Sequence, residues 1–137
     1  MEQCTSFKLG KEYIKAVYCY VAYLTYIQST LCSVLAKAGS RGCFTGGELN
    51  DAEILLAKTL STFPDRVKSA LDEYEPSEIT RFILDLCAAY NRFYHDCPIV
   101  TAESEREKNN RVALTAAVNT VLGRALSLIC LKTPEKI

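Results

Sequence analysis

The segment between Pro76 and Pro98 carries apolar side chains at the spacing of one helical face, and this pattern constrains the fold more than any other part of the chain. Its members are Ile79, Phe82, Ile83, Leu86, Cys87, Tyr90, Phe93 and Tyr94. Steps of three and four residues place such side chains on one stripe of an α-helix, which has to be buried against other elements. Pro76 suits a first helical turn, and Pro98 disfavours a helical conformation at Cys97. We therefore predict a buried helix from about Pro76 to Tyr94.

Two helices are predicted before this one from their end signals. The first should start near Lys11 and end at Gly39, because glycine suits the left-handed conformation that follows a helix. After a loop, Asn50 has the position of a helix cap, with Glu53 three residues later in the spacing of a capping box. A short second helix should then run to about Ser61.

The third and fifth helices complete the predicted fold. Pro64 suits the first turn of the third helix, whose apolar face comprises Val67, Ala70, Leu71 and Tyr74. Residues 101–110 are polar and charged, and are predicted to form a loop that runs into the N-terminal turns of the fifth helix. The apolar face of that helix comprises Val112 or Leu114, Val118, Val121, Leu122, Ala125, Leu128 and Ile129. Since no alternating strand pattern is present, we predict an all-α fold, a single bundle of about five helices over residues 1–137.

Length and composition favour one soluble domain without a metal site. The 137 residues suffice for one core but not for a nucleotide-binding catalytic domain with an appendage, and the 49% hydrophobic content is that of a globular protein. The seven cysteines form no C-x-x-C pair and His95 is the single histidine, so neither a zinc site nor a disulfide scaffold is indicated. Cys32, Cys87 and Cys130 lie in apolar runs and should be buried as reduced thiols. Without a targeting sequence, the cytoplasm is the expected compartment.

The stretch from Ala16 to Ala36 has no formal charge, which raises a membrane-spanning helix as an alternative. Tyrosine, threonine, serine and glutamine side chains interrupt it repeatedly, however. A helix that is packed on nearly all sides by other helices fits this composition better.

Basic residues are concentrated at the two ends of the chain. Lys and Arg minus Asp and Glu gives 5 − 2 = +3 for residues 1–47, 5 − 11 = −6 for residues 48–103 and 6 − 3 = +3 for residues 104–137. If the first and last helices lie side by side, their cations would form a surface for phosphate groups. These cations are Lys11, Lys15, Lys37, Arg106, Lys108, Arg111, Arg124, Lys132 and Lys136. Charge alone favours an ordinary solvated surface over nucleic-acid binding.

Several short segments, in this order and spacing, resemble one known domain. They are Tyr23-Leu-Thr-Tyr26, Cys32-Ser-Val-Leu35, Leu60 to Pro64, Glu75-Pro76, Phe93-Tyr94, Cys97-Pro98, Val121-Leu122 and Pro134. Together they cover residues 22–137. The chain thereby resembles the α-helical, DALR-type anticodon-binding domain at the C-terminal end of arginyl-tRNA synthetases.

The resemblance implies a set of RNA-contacting residues. Tyr26, Tyr94 and Ile137 match the family positions that lie at the anticodon, and Arg106, Arg111 and Lys132 would contact phosphates. Tyrosine offers a ring on which an unstacked base can lie and a hydroxyl for hydrogen bonding. The chain departs from the family in three places. Residues 27–30 read Ile-Gln-Ser-Thr where the family usually has Ala-His-Ala-Arg, Ile137 replaces a final methionine, and Cys130 replaces a glycine.

The implied function is binding of the anticodon stem-loop of an arginine tRNA, which would be positioned for ATP-dependent aminoacylation by a catalytic domain of the same parent protein. This chain has neither the His-Ile-Gly-His nor the Lys-Met-Ser-Lys-Ser motif of class I synthetases and no P-loop, so it should not be an enzyme by itself and should need no cofactor. ATP would bind the catalytic domain of the parent. Two alternatives remain, a helical protein-interaction module with the same fold, favoured by the altered residues 27–30, and a membrane-associated protein.

Overall fold

The computed structural model describes residues 2–39, 42–99 and 101–129, with side chains from Cys19 onward, and within these ranges the chain forms five α-helices and no strand. The helices are α1 (Glu2–Ala38), α2 (Asp51–Ser61), α3 (Phe63–Asp72), α4 (Ser77–Asp96) and α5 (Glu105–Leu128). An all-α bundle of five helices was predicted, and it is confirmed.

Helix α1 is longer than its sequence signals suggested. It begins at Glu2, so the predicted start near Lys11 is wrong. No proline lies in the added stretch, and its one glycine, Gly10, costs a helix only about 1 kcal/mol relative to alanine. The predicted end is confirmed, since Gly39 has a φ of +69° and its N–H donates to the carbonyl of Leu35 at 3.2 Å.

The cap of α2 was predicted from Asn50 and Glu53, and it is confirmed. The Asn50 Oδ1 accepts a hydrogen bond from the Glu53 backbone N–H at 2.9 Å, and Glu53 Oε2 accepts one from the Asn50 N–H at 3.0 Å. Two backbone donors that a helix start leaves without partners are thereby satisfied. The reciprocal bonds fix where α2 begins.

Helix α4 is the central element of the core, as its apolar pattern predicted. All eight predicted positions except Tyr94 are buried, and α4 packs against α2, α3 and α5. Leu86 is fully buried, and the rings of Phe63 on α3 and Phe82 lie 5.1 Å apart. The chain leaves the helix at Asp96, two residues before Pro98.

The predicted apolar face of α3 is only half correct. Val67 and Ala70 pack against the core, but Leu71 is 69% exposed and Tyr74 is 91% exposed. The helix ends at Asp72, and Tyr74 lies beyond it with a φ of +54°. Because the chain turns here, the Tyr74 ring does not lie on the apolar face that a longer α3 would have had.

Helix α5 packs beside α1, as the charge argument required, but its buried face differs from the predicted one. Val112, Val118, Leu122 and Ala125 are buried as expected, whereas Leu128 is 54% exposed. Buried polar residues complete the stripe at Asn110, Arg111 and Thr115. A pattern of apolar residues alone could not include them, so the predicted face was rotated from the real one.

We expected α1 to be packed on nearly all sides by other helices, and for its described side chains this prediction is wrong. Leu24, Ile27, Leu31 and Val34 form its buried stripe, while the opposite side is open to solvent. Cys32, expected to be buried, is exposed, whereas Cys87 is buried as expected; Cys130 lies outside the described residues. By length and composition Cys19–Ala38 would pass for a membrane span, but one weakly apolar helix with a buried core stripe is not evidence of insertion.

Candidate nucleic-acid interface

A groove of about 260 Å³ lies between the C-terminal half of α1 and the chain that leaves α4. We call it the α1–α4 groove. It is lined by Ser33, Val34, Lys37, Tyr94, Pro98, Ile99 and Thr101. The lining combines one aromatic ring, one cation, two hydroxyls and three apolar side chains. Such a lining offers a ring on which a base can stack and a cation that can pair with a phosphate.

Tyr94 lies at the edge of this groove on the last turn of α4. Tyr94 is 39% exposed, and its ring centroid lies 6.3 Å from that of Tyr90, which is fully buried. The His95 ring meets the Tyr94 ring edge to face, with the two centroids 5.9 Å apart. Contacts with both neighbours hold the ring in place while part of it stays accessible. A fixed aromatic surface loses little entropy when another ring stacks on it.

Tyr26 lies on the same side of the bundle, on the exposed face of α1, where it is 52% exposed. Ser33 and Lys37 follow it by seven and eleven residues, which are close to two and three full helical turns. All three side chains therefore project from one face of α1. At 1.5 Å per residue, Tyr26 is roughly 10 Å along the helix from Ser33, which lines the groove.

The relative direction of α1 and α4 agrees with this arrangement. Burial raises the pKa of Tyr23, and the nearby Cys87 and Tyr26 raise it further. Tyr23 thus lies beside the middle of α4, whereas Ser33 lies beside its end at Tyr94. Along α1, Tyr26 therefore lies between Tyr23, which is near Cys87, and Ser33, which lines the groove with Tyr94.

Lys37 is the cation of the groove, although it was only one of nine candidates in the sequence. It is exposed, occupies the last turn of α1 and lines the groove with Tyr94. A cation at the C-terminal end of a helix is favoured by the helix dipole. The available sequence signal was its position just before Gly39, the residue that ends the helix.

Arg106 is exposed, but its guanidinium is hydrogen-bonded to the loop between α1 and α2. Its Nε donates to the carbonyl oxygen of Gly46 at 2.7 Å, and a Cβ atom on Gly47 would lie 2.5 Å from its Nη2. Asn110 supports the same loop, since its Nδ2 donates to Gly46 O at 3.1 Å and its Oδ1 accepts from Thr45 N at 2.8 Å. Arg106 is not among the residues that line the groove.

Arg111 is buried, contrary to what a phosphate-contacting residue needs. Its Nε donates to Glu53 Oε1 at 2.8 Å and its Nη1 donates to the carbonyl oxygen of Pro98 at 2.7 Å. Only 10% of the Arg111 side chain and 5% of the Glu53 side chain are exposed. Arg111 is therefore unavailable to a phosphate group in this conformation. We predicted a surface cation, but its guanidinium is paired with Glu53, 58 positions earlier in the chain.

The two remaining predicted contacts, Lys132 and Ile137, lie outside the described residues. Among the residues that are described with side chains, no group of three His, Cys, Asp or Glu is arranged to hold a metal ion. Burial raises the pKa of Cys97, although a hydrogen bond from Asn50 lowers it, so that thiol stays protonated near neutral pH. Of the predicted contacts that are described, Tyr94 lines the groove, and Tyr26 lies about two helical turns before Ser33 on the exposed face of α1.

Comparisons with known proteins agree on one family. The family model described as the DALR anticodon binding domain matches residues 24–137. The chain is 39% identical over 125 residues to the arginine–tRNA ligase of Halothermothrix orenii, covering 86% of this chain and 21% of that protein. It is 40% identical over 118 residues to that of Alkaliphilus metalliredigens, covering 84% and 21%. The chain thus spans about a fifth of the length of these relatives.

A solved structure has the same helical arrangement. The arginyl-tRNA synthetase of Thermus thermophilus superposes with a TM-score of 0.78 at 28% identity, over 85% of this chain and 21% of that chain. A putative arginyl-tRNA synthetase from Campylobacter jejuni gives a TM-score of 0.75 at 20% identity, over 86% and 26%, and shows the fold alone.

Proposed function

This chain belongs to the family of DALR anticodon-binding domains, and from that premise we propose that it binds the anticodon stem-loop of an arginine tRNA. Binding there would position the tRNA for ATP-dependent aminoacylation. The reaction itself would take place on a catalytic domain of the same parent protein, since this chain matches only about 21% of the related ligases. ATP would bind that domain. Residues 1–137 would act as one RNA-binding unit.

The proposal is supported by the α1–α4 groove, which has Tyr94 at its edge, and by Tyr26 on the exposed face of α1 that also carries Ser33 of the groove. Single-stranded loops are recognised when unstacked bases lie on aromatic rings and their edges form hydrogen bonds. Tyr94 borders a groove that also contains Lys37, so a base at the ring would have its phosphate near a cation. Arg106 and Lys132 remain proposed phosphate contacts, and Ile137 remains a proposed contact at the anticodon.

A protein-interaction module with the same fold is the second candidate, and the segment after Tyr26 favours it. Ile27 and Gln28 are buried, while the Thr30 hydroxyl donates to the Tyr26 carbonyl at 3.0 Å. Residues 27–30 contain no cation, whereas the family usually has a histidine and an arginine in this segment. A weaker electrostatic attraction for RNA would follow.

The family supports a soluble protein, and we propose the cytoplasm as its location. The exposed side of α1 carries polar side chains, including Thr25, Ser29 and Ser33. The chain expressed without detergent should stay in the soluble fraction and give a strongly helical circular dichroism spectrum. Recovery in the membrane fraction would favour the membrane-associated alternative.

The function is tested by titrating the folded protein with arginine anticodon stem-loops that carry either the cognate or an altered anticodon. Tyr94→Ala and Tyr26→Ala should each weaken cognate binding by about 1 to 3 kcal/mol, the range observed when a stacked base loses its aromatic partner. Tyr74→Ala is the matched control, because this tyrosine is 91% exposed at the α3–α4 corner. Its loss should leave binding unchanged.

Cations give the second part of the same experiment. Lys37→Ala and Lys132→Ala should weaken the binding of both stem-loops to the same extent. They should also reduce the dependence of affinity on salt, because each variant removes one phosphate contact and the counterion that this contact releases. Lys68→Ala, on α3, serves as the control. If wild type binds both loops equally and neither tyrosine change matters, anticodon recognition is excluded. The protein-interaction module would then be the better account.

A further inference from the structure

The buried guanidinium of Arg111 joins three parts of the bundle. Arg111 belongs to α5, its Nε partner Glu53 belongs to α2, and its Nη1 partner is the backbone carbonyl of Pro98, just beyond α4. The two bonds, at 2.8 Å and 2.7 Å, leave the guanidinium in different directions. A third, weaker approach to Glu107 at 3.9 Å stays within α5.

The same network holds the residue before Pro98. Glu53 is the third residue of the capping box with Asn50, and the Asn50 Nδ2 donates to the Cys97 Sγ at 3.1 Å. Cys97 and Pro98 are consequently both attached to the start of α2, one through Asn50 and the other through Arg111 and Glu53. Both attachments approach the chain from the core, where Cys97 is fully buried.

The opposite side of this short segment forms the groove. Pro98 and Ile99 line it, and Tyr94 stands four residues before Pro98. Arg111 itself does not line the groove. The position of one groove wall therefore depends on a carbonyl group that Arg111 holds from behind.

We propose that Arg111 is a positioning residue for the α1–α4 groove, and that through Glu53 and the Pro98 carbonyl it sets the separation between Tyr94 and the wall formed by Pro98 and Ile99. This inference rests on the proposed RNA-binding function for its biological consequence. Its structural part concerns the groove alone and can be tested without RNA.

The chemistry of the side chain explains why arginine is needed at this position. A planar guanidinium presents several donors in a fixed fork and can satisfy a carboxylate and a carbonyl at once. A lysine ammonium keeps the charge on a flexible stem, and so can pair with Glu53 without holding Pro98 in a defined direction. A buried ion pair is also a weak source of net stability, because desolvation of both charges offsets their attraction. A positional role accounts for the pair better than stability does.

Arg111→Lys is the variant that separates the two roles, and Arg66→Lys is its matched control. Arg66 also bonds two acceptors, Glu78 at 3.1 Å and Asp85 at 3.4 Å, but it lies on the α3 side of α4 and does not line the groove. The protein is labelled with 3-fluorotyrosine, and the Tyr94 resonance is assigned by its disappearance in Tyr94→Phe. Unfolding of each variant by urea supplies its stability.

Arg111→Lys should remain folded, shift the Tyr94 fluorine resonance and lower the affinity for the cognate stem-loop by roughly ten-fold. Arg66→Lys should leave the resonance and the affinity unchanged, whatever stability it loses. Should Arg111→Lys not fold, Glu53→Gln takes its place: it removes the charge and leaves one acceptor oxygen where the carboxylate has two, enough for the capping box with Asn50 but not for Arg111 as well.

The fluorine resonance distinguishes failure of this inference from failure of the proposed function. If wild type binds no stem-loop but Arg111→Lys still shifts the Tyr94 resonance, the positioning role stands and the RNA function falls. If wild type binds RNA and the variant matches it in both affinity and resonance, Arg111 is a structural residue only and the inference is overturned. A shift of equal size in Arg66→Lys would overturn it as well.

Discussion

Gly42 lies so close to the backbone of α5 that a Cβ atom on it would stand 2.8 Å from the carbonyl oxygen of Asn109. The same atom would lie 2.9 Å from the backbone nitrogen of Ala113, and neither backbone atom can move without moving the helix. The φ of Gly42 is +67°, in the left-handed region. Two independent physical reasons thus require glycine here, its conformational freedom and its missing side chain.

Gly42→Ala should therefore destabilise the protein more than Gly39→Ala. The φ angles match, at +67° and +69°, but a Cβ on Gly39 would meet nothing within 4 Å. The left-handed conformation should cost either variant about 1 to 2 kcal/mol, and the contact with α5 should cost Gly42→Ala about 1 to 3 kcal/mol more. Urea unfolding measures both. Equal losses would show that the loop can move away from α5.

Leu86→Ala should lower the free energy of unfolding by roughly 2 to 5 kcal/mol, because it removes a fully buried side chain from the centre of α4. Leu84→Ala makes the same chemical change on the same helix at a side chain that is 39% exposed, and should cost much less. Thermal and urea unfolding compare the two. A Leu86 variant that melts within a degree or two of wild type would contradict the core described above.

Asn50→Ala should cost about 0.5 to 2 kcal/mol for the lost helix cap, together with the lost hydrogen bond to Cys97. Asn50→Ser supplies the control, since serine caps helices about as well but lacks the amide that donates to the Cys97 Sγ. The stability difference between the two variants isolates the cap. If the serine variant is as unstable as the alanine variant, the bond to Cys97 matters more than the cap.

Stability should fall in alkaline solution because of two buried groups. Burial raises the pKa of Cys87 from 9.0 to about 12 and that of Tyr90 from 10.0 to about 12. Below pH 9 both groups are protonated in either state. Between about pH 9 and 12 the unfolded chain loses protons that the folded chain retains. Each group then lowers stability by up to about 1.4 kcal/mol per pH unit.

The variant Cys87→Ala tests how much of the stability lost in alkaline solution comes from the Cys87 thiol. The variant should be less stable at pH 8, but its stability should change less between pH 9 and 10, where Tyr90 has barely begun to contribute. Cys32→Ala, at an exposed position of α1, should keep the slope of the parent protein. Urea unfolding at several pH values gives these slopes. Identical slopes for all three proteins would exclude Cys87 as a source.

Local signals predicted much of the fold correctly. The capping box of α2, the proline in the first turn of α3 and the glycine after α1 each act within a few residues, so their effect is visible in the sequence. The predicted packing faces were less accurate. Leu71, Tyr74 and Leu128 are apolar at helical spacing and yet exposed. Leu71 and Leu128 lie in the last turns of their helices, and Tyr74 lies beyond the end of α3.

The candidate site likewise contains some residues that the sequence selected and others that only the fold brought together. Resemblance to a family selected Tyr26 and Tyr94, but their relative placement depends on how α1 and α4 pack. Pro98 and Ile99 joined the site only through the fold, which also selected Lys37 from nine candidate cations. Arg111 and Glu53 are ordinary surface residues by composition, and no local pattern connects two positions that are 58 residues apart.

The sequence by itself determined that this chain forms helices, where α2 and α4 begin and end to within two residues, and which family it resembles, because these properties depend on neighbouring residues and on their order. Tertiary structure alone decided which side of α1 stays open, which polar residues enter the core and what holds the groove beside Tyr94. Burial and ion pairing depend on distances between elements that are far apart in the chain. The partner of Arg111 is therefore a property of the assembled bundle.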